Sequence, residues 1–212
     1  MRMKAICFSD IHAEEIAIEW ATGMMGRVRP DVAVIAGDLT TRGPVGFAED
    51  FLDAIKVPCV AVFGNMDDAR VAELLEKRGV SVHLKTKKIG GIAFAGIGGS
   101  NPTPFGTPAE FSEAEIGGML AGMRVAHETI FVSHFPPFDT AADLIRGKHV
   151  GSPALRAFLE KTQPAACVCG HVHEAEGADR IGKTKIIKVP ALQNGRALLL
   201  DLENLDAEEM RA

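Results

Sequence analysis

The chain has 212 residues, of which 47% are hydrophobic and 24% charged. That balance excludes wholesale disorder, and the length supports a core that needs no disulfide staples. The net charge of −5 argues against a protein held on DNA by a broad basic face, since phosphate neutralisation dominates such binding. A nucleotide whose charge is neutralised by a metal stays open.

Residues 3–8 read as a strand. Over residues 13–26, Ile16, Trp20 and Met24 share one helical face. Residues 31–36 form a short apolar run ending at Gly37, the pattern of a strand buried on both faces. Pro44 opens a helix that carries Phe47, Phe51, Leu52 and Ile55. A third strand over 59–63 again ends in glycine, and a helix over 69–78 stops at Gly79. Further strands are predicted near 80–89, 92–97, 129–132, 165–169, 177–182, 185–189 and 196–202. Helices fit near 112–123 and 152–161, the second capped by Ser152 with Pro153 at its first position. Gly182-Lys183 reads as a hairpin turn. Strand and helix alternate in the first half and strands dominate the second, which predicts two sheets, one largely parallel, with helices outside. Residues 1–203 read as one domain and 204–212 as a loose acidic tail.

No apolar run approaches the ~20 residues of a membrane helix. The N-terminal stretch lacks the apolar core and cleavage site of a signal peptide. Cys7, Cys59, Cys167 and Cys169 each fall in a strand expected to be buried, as small hydrophobes in a reducing compartment. A cytoplasmic location is the expectation.

The chemistry stands directly after the buried strands. The sequences there are Ser9-Asp10-Ile11-His12, Gly37-Asp38, Gly64-Asn65-Met66-Asp67, Ser133-His134 and Gly170-His171-Val172-His173. Ligands of open α/β sheets collect outside the carboxyl ends of strands. Asp10, His12, Asp38, Asn65, His134, His171 and His173 are oxygen and imidazole donors, suited to Mn, Fe or Zn. Seven donors exceed one tetrahedral site and suit two metals sharing a carboxylate. Glycine at 37, 64 and 170 lets the backbone turn sharply and come close.

This series, over roughly residues 5–175, resembles the motifs of the calcineurin-like metallophosphoesterases, in their small bacterial and archaeal branch. The resemblance implies a four-layer α/β/β/α sandwich of two mixed sheets flanked by helices. It implies two divalent metal ions, with Mn favoured over Fe, Zn, Co or Ni. Asp10, His12 and His173 would hold the first ion and Asn65, His134 and His171 the second, with Asp38 bridging them. The implied metal separation is ~3.5–4 Å, and a water acidified by the metals would be the nucleophile attacking phosphorus. The implied activity is hydrolysis of a phosphoester.

One residue departs from the family pattern. The third motif usually reads Gly-Asn-His-Asp or Gly-Asn-His-Glu, the histidine standing beside the leaving oxygen. Here it is Met66, whose thioether donates no proton. That leans towards phosphodiesters, on a small or nucleotide-like substrate. His149, in a stretch that resembles a segment near the family's metal centre, is the alternative proton donor. Phosphomonoesters, phosphoproteins, DNA and a non-catalytic binding role are the rival readings.

Other features carry expectations too. Asp67 should orient backbone or a ligand rather than bind metal, and Glu174 should be peripheral. His83 and His127 read as surface histidines. Residues 98–108 are long for a connection and read as a lid with Ser100, Asn101 and Phe105 facing substrate. Lys85-Thr-Lys-Lys88 reads as the guard of an edge strand. A homodimer is plausible, though nothing in the sequence specifies an interface.

Overall fold

The computed structural model describes residues 2–212. In chain order its first half contains β1 (Lys4–Phe8), α1 (Ala17–Val28), β2 (Val32–Ala36), α2 (Val45–Ala54), β3 (Cys59–Val62), α3 (Ala69–Lys77), β4 (Thr86–Ile89) and β5 (Ile92–Ile97). There follow α4 (Glu113–Ala121), β6 (Ile130–Ser133), β7 (Leu144–Ile145), β8 (Lys148–His149), α5 (Pro153–Thr162), β9 (Ala166–Cys169), β10 (Ala178–Ile181), β11 (Thr184–Lys188), β12 (Arg196–Asp201) and β13 (Ala207–Arg211).

One sheet runs β13-β12-β1-β2-β3 and the other β10-β11-β9-β6-β5-β4. β1, β2 and β3 are parallel, as are β5, β6, β9 and β11, while β12, β13, β4 and β10 pair antiparallel. Side-chain alternation builds the layers. Ala5, Cys7, Val34, Val60 and Val62 of the first sheet share a buried cluster with Phe94, Val132 and Val168 of the second. Ile6, Phe8, Ile35 and Ala61 point the other way, onto Met24, Phe51 and Leu75 of α1, α2 and α3. Ile97, Phe131 and Cys167 cover the outer face of the second sheet together with Ile116 of α4 and Leu155 of α5. The result is helix, sheet, sheet, helix. Covering both faces of each central strand is why those strands read as continuous apolar runs.

Local signals set several boundaries. Ser112 and Glu115 form a reciprocal capping box on α4, and the Ser152 hydroxyl accepts from Leu155 N at the start of α5. Gly182 (φ +59°) turns the β10–β11 hairpin. All four cysteines are buried and unbridged. No helix among the described residues is long and apolar enough to cross a membrane.

Three expectations need correction. α1 begins at Ala17 rather than 13, because Ile11, His12 and Ala13 donate their N–H groups to the Asp38 and Leu39 carbonyls instead. It buries Ala17, Ala21 and Met24 and leaves Ile16 43% exposed. The strand expected over 80–89 is confined to Thr86–Ile89, with Ser81 and His83 forming single bridges. The loose acidic tail is instead β13, paired with β12 from Ala207 to Arg211. Charge masked its pattern. Met210 packs on the first core cluster, and Arg196 of β12 pairs with Glu209.

Candidate metal centre

Parallel strands deliver their carboxyl ends to one edge, and there the sequence-predicted donors meet. Asp10 and His12 follow β1, Asp38 follows β2, Asn65 follows β3, His134 follows β6, and His171 and His173 follow β9. The backbone is tight. A Cβ on Gly64 would lie 2.0 Å from Asp38 Oδ1, and one on Gly170 would lie 1.8 Å from Ser9 Oγ. Asp10, His12, Asp38 and His171 hold left-handed φ of 54°, 54°, 52° and 72°, a region that non-glycine residues seldom enter.

The donors fall into two groups, Asp10–His12–His173 and Asp38–His134–His171. Asp38 touches both. Its Oδ2 lies 3.7 Å from His12 Nε2 and 3.3 Å from His134 Nε2. Its Oδ1 is held from behind by the Met66 N–H at 2.8 Å. Asp10 is divided the same way, Oδ2 accepting the His171 N–H at 3.1 Å while Oδ1 lies 3.2 Å from His173 Nε2. Asn65 joins the second group, its Oδ1 2.9 Å from His134 Nε2.

The atoms fit divalent cations. Asp10 Oδ1 and His12 Nε2 are buried without a hydrogen-bond partner among the described residues, a costly state unless a cation satisfies them. His134 faces acceptors on both sides: the Ala36 carbonyl 2.7 Å from Nδ1, and Asn65 Oδ1 at Nε2. A neutral ring has one N–H and serves only one of them; the other is served by a second ring proton in the metal-free protein or by a cation at Nε2. Burial pushes His134 down, but the Asp38 carboxylate outweighs it and lifts the ring to about 9. Burial, with the charge on His134, lowers His171 to about 4, and burial also lowers His12. The Asp10 carboxylate beside it raises His173. Asp10 itself is buried, which opposes its charge, yet His173 and the cations around it hold it below the usual carboxylate range.

The neighbours sort themselves by contact. Asp67 is fully buried and accepts from Leu39 N, Thr40 N, Thr40 Oγ1 and Gly64 N, so it fixes the turns that carry Asp38 and Asn65. Burial and the charge of Asp38 raise it to about 7. Met66 is half-buried and Glu174 exposed. His149 is held at Nδ1 by Asp143 at 2.7 Å, with Nε2 3.5 Å from Asp139. Lys85 and Lys88 flank Lys87 on and beside β4, the edge of its sheet.

Two expectations fail here. His83 is not a surface group: it accepts the Gly98 N–H at 2.9 Å and packs on Phe63, and burial lowers it. His127 is exposed as expected. The 98–108 segment does not present its three named residues to substrate together. Ser100 is fully buried and donates to the Asn101 carbonyl, and Asn101 donates to the Val150 carbonyl. Phe105 is 78% exposed. The loop's contact with the centre comes from Thr107, whose Oγ1 lies 2.9 Å from Asn65 Nδ2. Sequence reasoning misses Thr107 and Glu110. Their faint signal is Thr-x-x-Glu, a local side-chain-to-backbone pattern that looks like an ordinary cap.

The sequence model of the calcineurin-like phosphoesterases matches residues 3–175. The chain belongs to that family. It is 38% identical over 167 residues to the uncharacterized protein MJ1162 of Methanocaldococcus jannaschii, covering 74% of this chain and 76% of that one. The crystal structure of TT1561 of Thermus thermophilus superimposes with a TM-score of 0.77 at 18% identity, over 100% of this chain and 99% of that one. A structure described as a novel archaeal phosphodiesterase gives 0.61 at 14% identity, over 99% and 100%. These likenesses carry the fold. Membership makes this phosphoesterase a hydrolase, and its two donor groups are candidate sites for metal ions.

Proposed function

We propose that this phosphoesterase holds two divalent ions, Mn²⁺ favoured, and hydrolyses a phosphodiester of a small or nucleotide-like substrate. The supporting observation is Asp38, a carboxylate anchored through Oδ1 whose Oδ2 reaches a histidine of each donor group. Asp10, His12 and His173 would hold one ion and Asn65, His134 and His171 the other. Bound divalent ions polarise a phosphoryl oxygen and acidify the attacking water. The protein's own part is placement: the backbone N–H groups of Met66 and His171 aim Asp38 and Asp10, and Asp67 locks the turns that carry Asp38 and Asn65.

Met66 supports the diester. Its main chain holds Asp38, but its thioether donates no proton to a departing alkoxide. Positioned proton transfer typically contributes about 10²–10⁴-fold, so substrates with poor leaving groups suffer most and activated diesters least. The alternative is that Met66 merely packs and His149, fixed by Asp143, supplies the proton, in which case that penalty disappears. The test compares bis(p-nitrophenyl) phosphate with p-nitrophenyl phosphate in Mn²⁺, for wild type and Asp38→Ala. Diester turnover that vanishes with Asp38 is expected. Preference for the monoester would keep the metals and overturn the meaning given to Met66. His149→Ala with undiminished activity on an alkyl diester would remove His149.

A further inference from the structure

Asn65 is the weak member of the donor set. Its side chain is a neutral amide with a carbonyl oxygen at one end and an NH₂ at the other, and only the oxygen has a lone pair for a cation. Rotation by half a turn would place the NH₂ against His134 and leave nothing to bind an ion. The structure shows what fixes the orientation.

Glu110 sits at the root. Its carboxylate accepts from Thr103 N at 3.1 Å, Thr103 Oγ1 at 2.5 Å, Thr107 N at 2.8 Å and Thr107 Oγ1 at 2.5 Å. An ionised carboxylate only accepts, so the Thr107 hydroxyl hydrogen must point at Glu110. The lone pairs of that hydroxyl then face Asn65, and the contact at 2.9 Å admits only the amide nitrogen as donor. Asn65 Oδ1 is thereby turned towards His134 Nε2. The same loop also grips the main chain, Ala109 N donating to the Asn65 carbonyl at 3.1 Å.

We propose that Thr107 and Glu110 are positioning residues, a one-way relay Glu110–Thr107–Asn65 that holds the Asn65 oxygen at the metal position and makes loading of that ion depend on the loop over 98–111. The inference rests on the two-ion reading above. It gives the loop a task other than covering substrate. Sequence alone hides the relay, since Thr107 lies 42 residues from the amide it fixes.

The test uses the full chain stripped of metal and titrated with Mn²⁺ by calorimetry, for wild type, Thr107→Ser and Thr107→Val. Valine matches the shape of threonine and removes the hydroxyl. Wild type and Thr107→Ser should take two ions alike. Thr107→Val should bind one ion normally and the other about 10–100-fold more weakly, the usual cost of losing an outer hydrogen-bond partner. Its metal-free melting temperature serves as the folding control. If that temperature falls, Glu110→Gln replaces it, because a glutamine NH₂ can donate to Thr107 and release the hydroxyl hydrogen; the same selective weakening is expected. Two ions bound with wild-type affinity by a folded Thr107→Val would overturn the relay. Wild type taking fewer than two ions would instead count against the two-ion reading. The relay would then be judged in metal-free protein by solvent exchange of the Asn65 side-chain amide protons. Slow exchange in wild type and Thr107→Ser with fast exchange in Thr107→Val supports it, and equal exchange in all three overturns it.

Discussion

The two halves of the centre use the same kinds of side chain with different support. In the Asp10–His12–His173 half, the His12 and His173 side chains are 16% and 33% exposed, and their Nδ1 atoms meet side chains, Thr41 Oγ1 at 3.0 Å and Gln193 Nε2 at 3.1 Å. In the Asn65–His134–His171 half, His134 is fully buried with Nδ1 on a main-chain carbonyl, and Asn65 is fixed by a threonine. The first half is open and held by groups that can rotate. The second is set in the core. The difference teaches that one binding edge can pair a partly exposed donor group with a buried one, because strand ends from the sandwich interior meet loops from its rim.

Replacing the shared residue should do most. Asp38→Ala should drop diester hydrolysis to background and weaken both ions, read by turnover and by Mn²⁺ titration. Loss of only one ion would mean that the halves are separate.

Next in size is stability. His134→Ala leaves the buried Asp38 without its cationic neighbour and should cost about 3–5 kcal/mol in the metal-free protein, the scale for breaking a buried pair. His173→Ala should cost far less, since its ring is a third exposed. Denaturant titration of both variants decides it, and equal losses would erase the contrast between core and rim.

Acid and base should separate them further. His134 is raised to about 9 in the fold against ~6.5 unfolded, so the folded state binds the extra proton between those values. Its contribution is complete below ~6.5 and is lost as pH rises through 9. Asp67, raised to about 7, acts in the same direction over the range from ~3.9 to 7. Below ~6.5 the lowered His171, His12 and His83 act the other way, since the unfolded chain takes up the protons they refuse. The clean window is therefore above it: melting of chelator-treated protein should weaken as pH rises from about 7 to 9. Bound ions should flatten the upper part of that slope, because they displace the His134 proton.

The smallest effect should come from Gln193→Ala, which removes the exposed support of His173. It should weaken the open ion by about 10-fold, the low end for an outer partner, and leave the melting temperature unchanged. A larger effect than that of Thr107→Val would reverse the ranking of the halves.

The donors were legible because their signal is local. Asp10, Asp38, Asn65, His134 and His171 each stand within a few residues of an apolar run, and one rule about strand ends gathers them. The layered fold was legible for the same reason, from runs such as Val32–Ala36 that have no polar face. What stayed hidden depends on partners distant in sequence. Glu110 looks like any surface acid until Thr103 and Thr107 fold around it. His83 looks exposed until Gly98 and Phe63 close on it. β13 reads as a charged tail because its pairing is supplied by β12 and by Arg196, not by its own composition. Ser100 looks available beside the glycines at 98 and 99, yet those glycines let the chain fold it inward.

The left-handed backbone at Asp10, His12, Asp38 and His171 sets endurance against usefulness. Residues held there cost of order 1–3 kcal/mol each, and glycine or asparagine would sit more easily. A library of this gene selected only for surviving heat, with no demand for turnover, should drift towards glycine or asparagine at 12 and 171, while the pairing with buried His134 retains Asp38. The working centre would then be mapped by the positions the chain gives up first, before any substrate is known.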